Sequence, residues 1–142
     1  MIYTTKTKKA LKLCFEAHRD QLDKSGMPYV FHPFHLAEQM DTEEKVVVAL
    51  LHDVVEDTDY TIEDLSEMGF GKEIIDAITL LTHAPDVEYM DYVRNIKKNP
   101  IAKAVKLADL AHNSDPTRLE VLDEYAVKRN EKYSKAIALL KE

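Results

Sequence analysis

Tryptophan is missing from this 142-residue sequence, glycine occurs three times, and the one cysteine is Cys14. With five prolines and scarcely any alternating β-branched runs, the chain has few of the signals that mark strands and hairpins. It is therefore expected to be all-α. A lone cysteine excludes an internal disulfide. Set among Leu11, Phe15 and His18 at helical spacing, it reads as a buried thiol without a chemical role. The chain also lacks any apolar stretch near the roughly 20 residues that cross a bilayer, and its start, MIYTTKTKKA, has no signal-peptide core. These absences predict a cytoplasmic protein with no membrane partner. Basic stripes are lacking too. The net charge is −7, and binding a nucleic-acid backbone needs clustered cations, so no nucleic-acid partner is expected. A small anionic substrate stays compatible where lysines and a metal locally outweigh the acidic surface.

What the chain does contain is helical periodicity. At 45% hydrophobic and 32% charged, it is expected to form one domain, residues 1–142, burying about two-thirds of its unfolded surface. Apolar positions recur at helical spacing from Ala10 to Leu22 and stop at Ser25-Gly26-Met27-Pro28. A second helix is expected from His32-Pro33 to Met40. A third, capped by Asp41 with Glu44, runs from Glu43 to about Asp57 through the nearly all-apolar VVVALLHDVV. Thr61 with Asp64 caps a fourth that Gly69 closes, and Ile74 to Leu81 forms a fifth. Asp86 to Lys98, Pro100 to Asn113 and Asp123 to Lys141 follow. Together they predict a single compact multi-helix bundle whose spare apolar faces would also suit a homodimer.

Polar residues interrupt this pattern at a few places. His52, Asp53, Glu56 and Asp57 gather three acids and a histidine within about one and a half helical turns. Unpaired, such a cluster is destabilising, because like charges repel and burial resists ionisation. A divalent cation reverses that penalty. His52 and Asp53 can both donate to one ion, with Glu56 placed to act on water. One helix offers too few ligands, so donors are needed elsewhere. His32 opens the second helix, and VKLADLAHN sets Lys106, Asp109 and Asn113 on one face, with Asp109 in apolar company where an unpaired aspartate is costly. His32, His52, Asp53 and Asp109 make a mixed nitrogen and oxygen set suited to Mn²⁺, Fe²⁺, Co²⁺ or Zn²⁺, with Mn²⁺ preferred because no thiolate singles out zinc.

These segments, HP at 32–33, HD at 52–53, ED at 56–57 and KLADLAHN at 106–113, together with the lead-in KSGMPYVFHP, resemble the HD-domain metal phosphohydrolases. Within that family they are similar to the hydrolase domain of the Rel/SpoT alarmone enzymes and their small stand-alone relatives. The resemblance covers residues 10–115 in matching order. It implies that His32, His52, Asp53 and Asp109 bind one Mn²⁺ while Glu56 and Asp57 assist the attacking water. It also implies that Lys24, Ser25 and Asn113 contact a nucleotide, and that the reaction takes the 3′-pyrophosphate from ppGpp to leave GDP. On the same comparison 142 residues leave no room for a synthetase domain, so a GTP pyrophosphokinase activity is not expected. The alarmone hydrolases carry an arginine where this chain has Asp23, and an arginine can stack on a base whereas an aspartate cannot. Two alternatives therefore stand beside the first: the same chemistry on another nucleotide or phosphoester, and a non-catalytic domain that binds metal or nucleotide.

Other polar residues have plainer readings. Lys106 can pair with Asp109, and Lys103 and Arg94 are weaker candidates for phosphate contact. His18 reads as a buttress, His35 as a packed imidazole rather than a ligand, and His83 as a helix-end cap rather than a phosphate contact. His112, three residues after Asp109, stands either behind the ligand set or outside it. Tyr89 and Tyr92 share a face that suits packing better than stacking on a base.

Overall fold

The computed structural model describes residues 1–119 and 123–142. Thr4 and Thr7 cap each other reciprocally to start α1 (Thr5–Ala17), five residues before its apolar stripe begins. The stripe extends to Leu22, yet the helix ends at His18. In the loop that follows, the Asp23 amide donates to Met27 O (2.7 Å) and the Tyr29 amide to Gln21 O (2.9 Å), making a tight double-backed turn. Gly26 takes the left-handed φ of 79° that this turn needs. Leu22, expected on the helix, is 66% exposed and bridges to Pro28.

α2 (Phe31–Glu38) carries Pro33 in its first turn and buries His32, Leu36 and Ala37. α3 (Glu43–Leu51) is capped by Thr42, whose hydroxyl accepts the Lys45 amide at 3.2 Å, while Asp41 pairs with the Lys45 ammonium instead of forming the expected box with Glu44. Every residue from Val46 to Leu51 is fully buried. The helix does not continue to Asp57 as its apolar run suggests. His52 Nδ1 donates to Ala49 O at 2.6 Å, occupying the carbonyl that a continuing helix offers to the Asp53 amide. The backbone breaks there and restarts as α4 (Val54–Asp57), with Asp53 at its N-cap.

α5 (Ile62–Glu67) has the expected Thr61–Asp64 capping box, and α6 (Lys72–Leu81) follows. α7 (Tyr89–Lys97) begins three residues later than the expected Asp86, because Glu88 caps it by accepting the amides of Met90 and Asp91. Asn99 caps α8 (Pro100–Asn113) and a short turn, Pro116–Arg118, leads toward α9 (Glu124–Lys141). α3 is the hub, packed by α1, α2, α6 and α8, with α7 and α9 closing against α8. One buried cluster runs from Ala10 to Leu140, and no strand element occurs among the described residues. No helix among them is long and apolar enough to cross a membrane. α2, the α3–α4 break and α8 converge, so His32, His52-Asp53 and Asp109 face one point.

Candidate metal centre and the cavity beside it

Four side chains from these three places, His32, His52, Asp53 and Asp109, each bring one ligand atom to within 4.8 Å of all the others. His32 and His52 are 3% exposed and Asp109 is 5% exposed, so the group sits below the surface with Asp53 toward its rim. His32 Nε2 lies 2.8 Å from Asp109 Oδ1, and His52 Nε2 lies 3.0 Å from Asp53 Oδ2 and 3.5 Å from Asp109 Oδ1.

Whether these residues fit a metal is decided at His52. Its Nδ1 proton is committed to Ala49 O, which leaves the Nε2 lone pair aimed inward. Despite the two carboxylates beside it, that buried nitrogen makes no aligned hydrogen bond. A buried acceptor without a donor is costly unless something fills the gap, and a cation does so. The set fits a divalent ion.

The surroundings keep the carboxylates charged. Burial pushes Asp109 up, but the Lys106 ammonium and the two imidazoles outweigh it and hold the acid well below its ordinary range. Lys106 donates to Oδ2 at 3.0 Å, and Asn113 donates to Oδ1 at 3.0 Å. Burial likewise raises Asp53, and His52 with the Tyr29 hydroxyl, which donates to Oδ2, brings it below normal. Burial depresses the His52 pKa while the Asp53 and Asp109 charges more than reverse this, so the pair of carboxylates favours a cation at Nε2, and a metal ion there would take the place of a proton. Behind His32, its Nδ1 faces His112 Nδ1 at 2.7 Å, and the two rings lie edge to edge in nearly one plane with centroids 5.0 Å apart. Only one of those nitrogens carries the proton. When His32 turns its Nε2 lone pair inward, His32 donates and His112 accepts.

Glu56 and Asp57 stand at the rim. Both have raised pKa values, chiefly from burial with the Asp53 charge adding to it. Glu56 accepts the His83 amide, which ties it to the turn after α6. Beside the metal group a cavity of about 350 Å³ is lined by His32, Lys24, Ser25 and Asn113. Of the expected ligands only His32 lines this cavity, together with the three residues that the sequence resemblance suggests for nucleotide contact; His52, Asp53, Asp109, Glu56 and Asp57 do not line it. Ser25 is already engaged, its hydroxyl donating to Arg118 O at 2.7 Å.

Over residues 10–116 the chain matches the HD domain family. The chain belongs to the HD domain family. Among curated proteins, this HD domain is 33% identical over 137 residues to a probable GTP pyrophosphokinase of Mycobacterium leprae, a match covering 87% of this chain and 17% of that protein. It is 38% identical over 113 residues to the guanosine-3′,5′-bis(diphosphate) 3′-pyrophosphohydrolase of Haemophilus influenzae, covering 69% of this chain and 16% of that protein. It thus spans roughly a sixth of the length of these relatives. A solved structure, described as a metazoan ortholog of SpoT that hydrolyzes ppGpp, superposes with a TM-score of 0.78 at 25% identity, covering 99% of this chain and 88% of that one.

The remaining sequence candidates separate cleanly in this HD domain. His18 is buried and packs on Tyr29 with ring centroids 4.9 Å apart, backing the tyrosine that holds Asp53. His35 is exposed and stacks on His112 outside the ligand group. The His83 ring bonds to Val87 O (2.6 Å) and Arg94 is paired with Asp91, so neither ring nor guanidinium reaches the group. Tyr92 is buried with its hydroxyl on Leu81 O. Sequence reasoning missed Tyr29, whose place three residues before His32 was the available signal. It also missed the contribution of the C-terminal region, where Arg118, Tyr125, Arg129 and Tyr133 line the same cavity. Arg129 and Tyr133, four residues apart on α9, present one face, a pattern that reads from sequence only as ordinary amphipathic packing.

Proposed function

We propose that this HD domain, residues 1–142 acting as one unit, is a metal-dependent phosphohydrolase that takes ppGpp and water to GDP and pyrophosphate. The observation that carries the reading is the group of four ligand atoms within 4.8 Å of one another, among them the unpartnered His52 Nε2. His32, His52, Asp53 and Asp109 would hold Mn²⁺. When bound, the ion polarises phosphoryl oxygens and makes water a stronger acid.

The chain's own groups do the rest. Glu56 and Asp57, with pKa values raised by burial, are proton acceptors better matched to neutral pH than free carboxylates. They orient the water and take its proton as oxygen adds to the phosphorus nearest the ribose. The bond from that phosphorus to the 3′ oxygen breaks, the 3′ oxygen takes up a proton to become the hydroxyl of GDP, and pyrophosphate carrying the water's oxygen is released. Lys106 keeps its positive charge, because the Asp109 carboxylate and its hydrogen bond outweigh burial, and it steadies negative charge gathering near Asp109. Lys24 and Asn113 contact the nucleotide from the cavity wall, and Ser25 shapes the loop that carries Lys24.

The family membership and the names of the relatives support a ppGpp substrate. Asp23 in the cavity wall favours, as the second reading, the same chemistry on a different nucleotide. A panel of nucleotides incubated with Mn²⁺-loaded protein separates the two. Turnover of ppGpp to GDP and pyrophosphate, with deoxynucleotides and 5′-monophosphates left intact, supports the first reading. Preferential turnover of a panel member supports the second.

A further inference from the structure

Asp23 lies in the wall of the nucleotide cavity, where a negative charge is a poor neighbour for an anionic ligand. Its own bonds explain why it is tolerated. Oδ1 accepts the amides of Ser25 (2.9 Å) and Met27 (3.0 Å), so this oxygen builds the turn of the 21–29 loop. Oδ2 faces Arg118 Nη2 at 3.7 Å. Arg118 comes from the opposite wall, in the turn after α8, and donates through Nη1 to His112 O (2.9 Å) and Asn113 Oδ1 (3.3 Å). Its backbone carbonyl is held by the Ser25 hydroxyl. Both the main chain and the head group of Arg118 are thus clasped between the loop and the end of α8, while the side chain stays 26% exposed and lines the cavity.

We propose that Arg118 is a specificity-determining residue that receives the base of a purine nucleotide, and that Asp23 positions it for this task. The proposal rests on the reading of the cavity as a nucleotide site. A guanidinium offers a flat face for stacking and paired donors that match acceptors on a purine edge. Asp23 offsets much of its charge, so the pair is a weak phosphate trap but keeps its plane and its uncommitted N–H groups. Being fixed beforehand, Arg118 loses little side-chain freedom when a ligand arrives. Tyr125, over which Lys24 Nζ sits 4.7 Å from the ring centroid, adds an aromatic surface to the same cavity. Asn113 links the two ends, accepting from Arg118 and donating to the metal-group carboxylate of Asp109.

The test uses the whole chain carrying Glu56→Gln and loaded with Mn²⁺, titrated by calorimetry with GDP and, separately, with inorganic pyrophosphate. Adding Arg118→Ala is expected to weaken GDP binding about tenfold or more and pyrophosphate binding less than about threefold, as loss of a hydrogen bond from a charged group implies. Asp23→Asn keeps the guanidinium and its bonds to α8 but loosens its hold, and is expected to weaken GDP about threefold; should Arg118→Ala fail to fold, this variant decides alone. GDP affinity indifferent to these changes, no GDP binding at all, or an equal loss for GDP and pyrophosphate would overturn the proposal. If the unsubstituted protein leaves ppGpp intact while GDP binding still depends on Arg118, the catalytic reading falls and this one stands.

Discussion

The His52 ring does two things at once. Its Nδ1 breaks the backbone by taking Ala49 O, and its Nε2 is left facing Asp53 and Asp109. His52→Ala is therefore expected to lower Mn²⁺ affinity and also to disturb the restart of α4, whereas Glu56→Gln separates chemistry from binding. Glu56 has no place among the four ligand atoms, so Glu56→Gln should cost roughly 10²- to 10⁴-fold in kcat while calorimetric Mn²⁺ affinity is kept. Equal kcat in the two proteins would remove Glu56 from the mechanism. His112 supplies the acceptor for the His32 ring. His112→Phe keeps an aromatic ring against His32 but removes the acceptor, and roughly a 10- to 100-fold loss of Mn²⁺ affinity is expected, partly restored in His112→Gln. Identical affinities in Phe and Gln variants would make the contact mere packing. Cys14, 1% exposed and with burial pushing its thiol up to about 12, matches the inert reading drawn from sequence.

At the level of helices, α8 matters most, since it carries Lys106, Asp109 and Asn113 along one face. Its start was legible: Asn99-Pro100 is a capping residue followed by a proline in the first turn, and the observed limits match. Asn99→Ala removes the acceptor for two amides and should cost about 1 kcal/mol, seen as a Tm lowered by a few degrees. An unshifted Tm would show that the cap adds nothing beyond packing. The Thr61–Asp64 box of α5 was legible for the same local reason. Less legible were features set by contacts distant in sequence or by side chains competing for backbone. The end of α1 depends on the Gln21–Tyr29 pairing across the loop, and nothing in its apolar spacing signals that. The break between α3 and α4 arises inside an apolar run, from one imidazole bond that periodicity does not register.

Across the whole molecule, metal and fold are linked. The ligands come from three separate stretches, so an ion that binds only the folded chain should stabilise it by about 2.7 kcal/mol at a hundredfold excess over Kd. Thermal scans with and without Mn²⁺ check this, and coincident curves would speak against the centre. The pH profile belongs here too. Burial first, then the Asp53 charge, raises Glu56 above its ordinary 4.5, and a proton acceptor works only unprotonated. Activity should fall on acidification through a midpoint above that value, in the pH range where circular dichroism still reports a folded chain. Much of the site was readable in advance because its histidines and acids stand in apolar company that makes them costly without a partner. The cavity's far wall was not, because Arg118 meets Asp23 only through the fold.

The most direct measurement is to incubate metal-stripped protein with ppGpp, with and without added Mn²⁺, and to separate the products by chromatography. GDP and pyrophosphate formed only with Mn²⁺ are the predicted result. Intact ppGpp in both samples, from protein shown to bind the ion, would contradict the account.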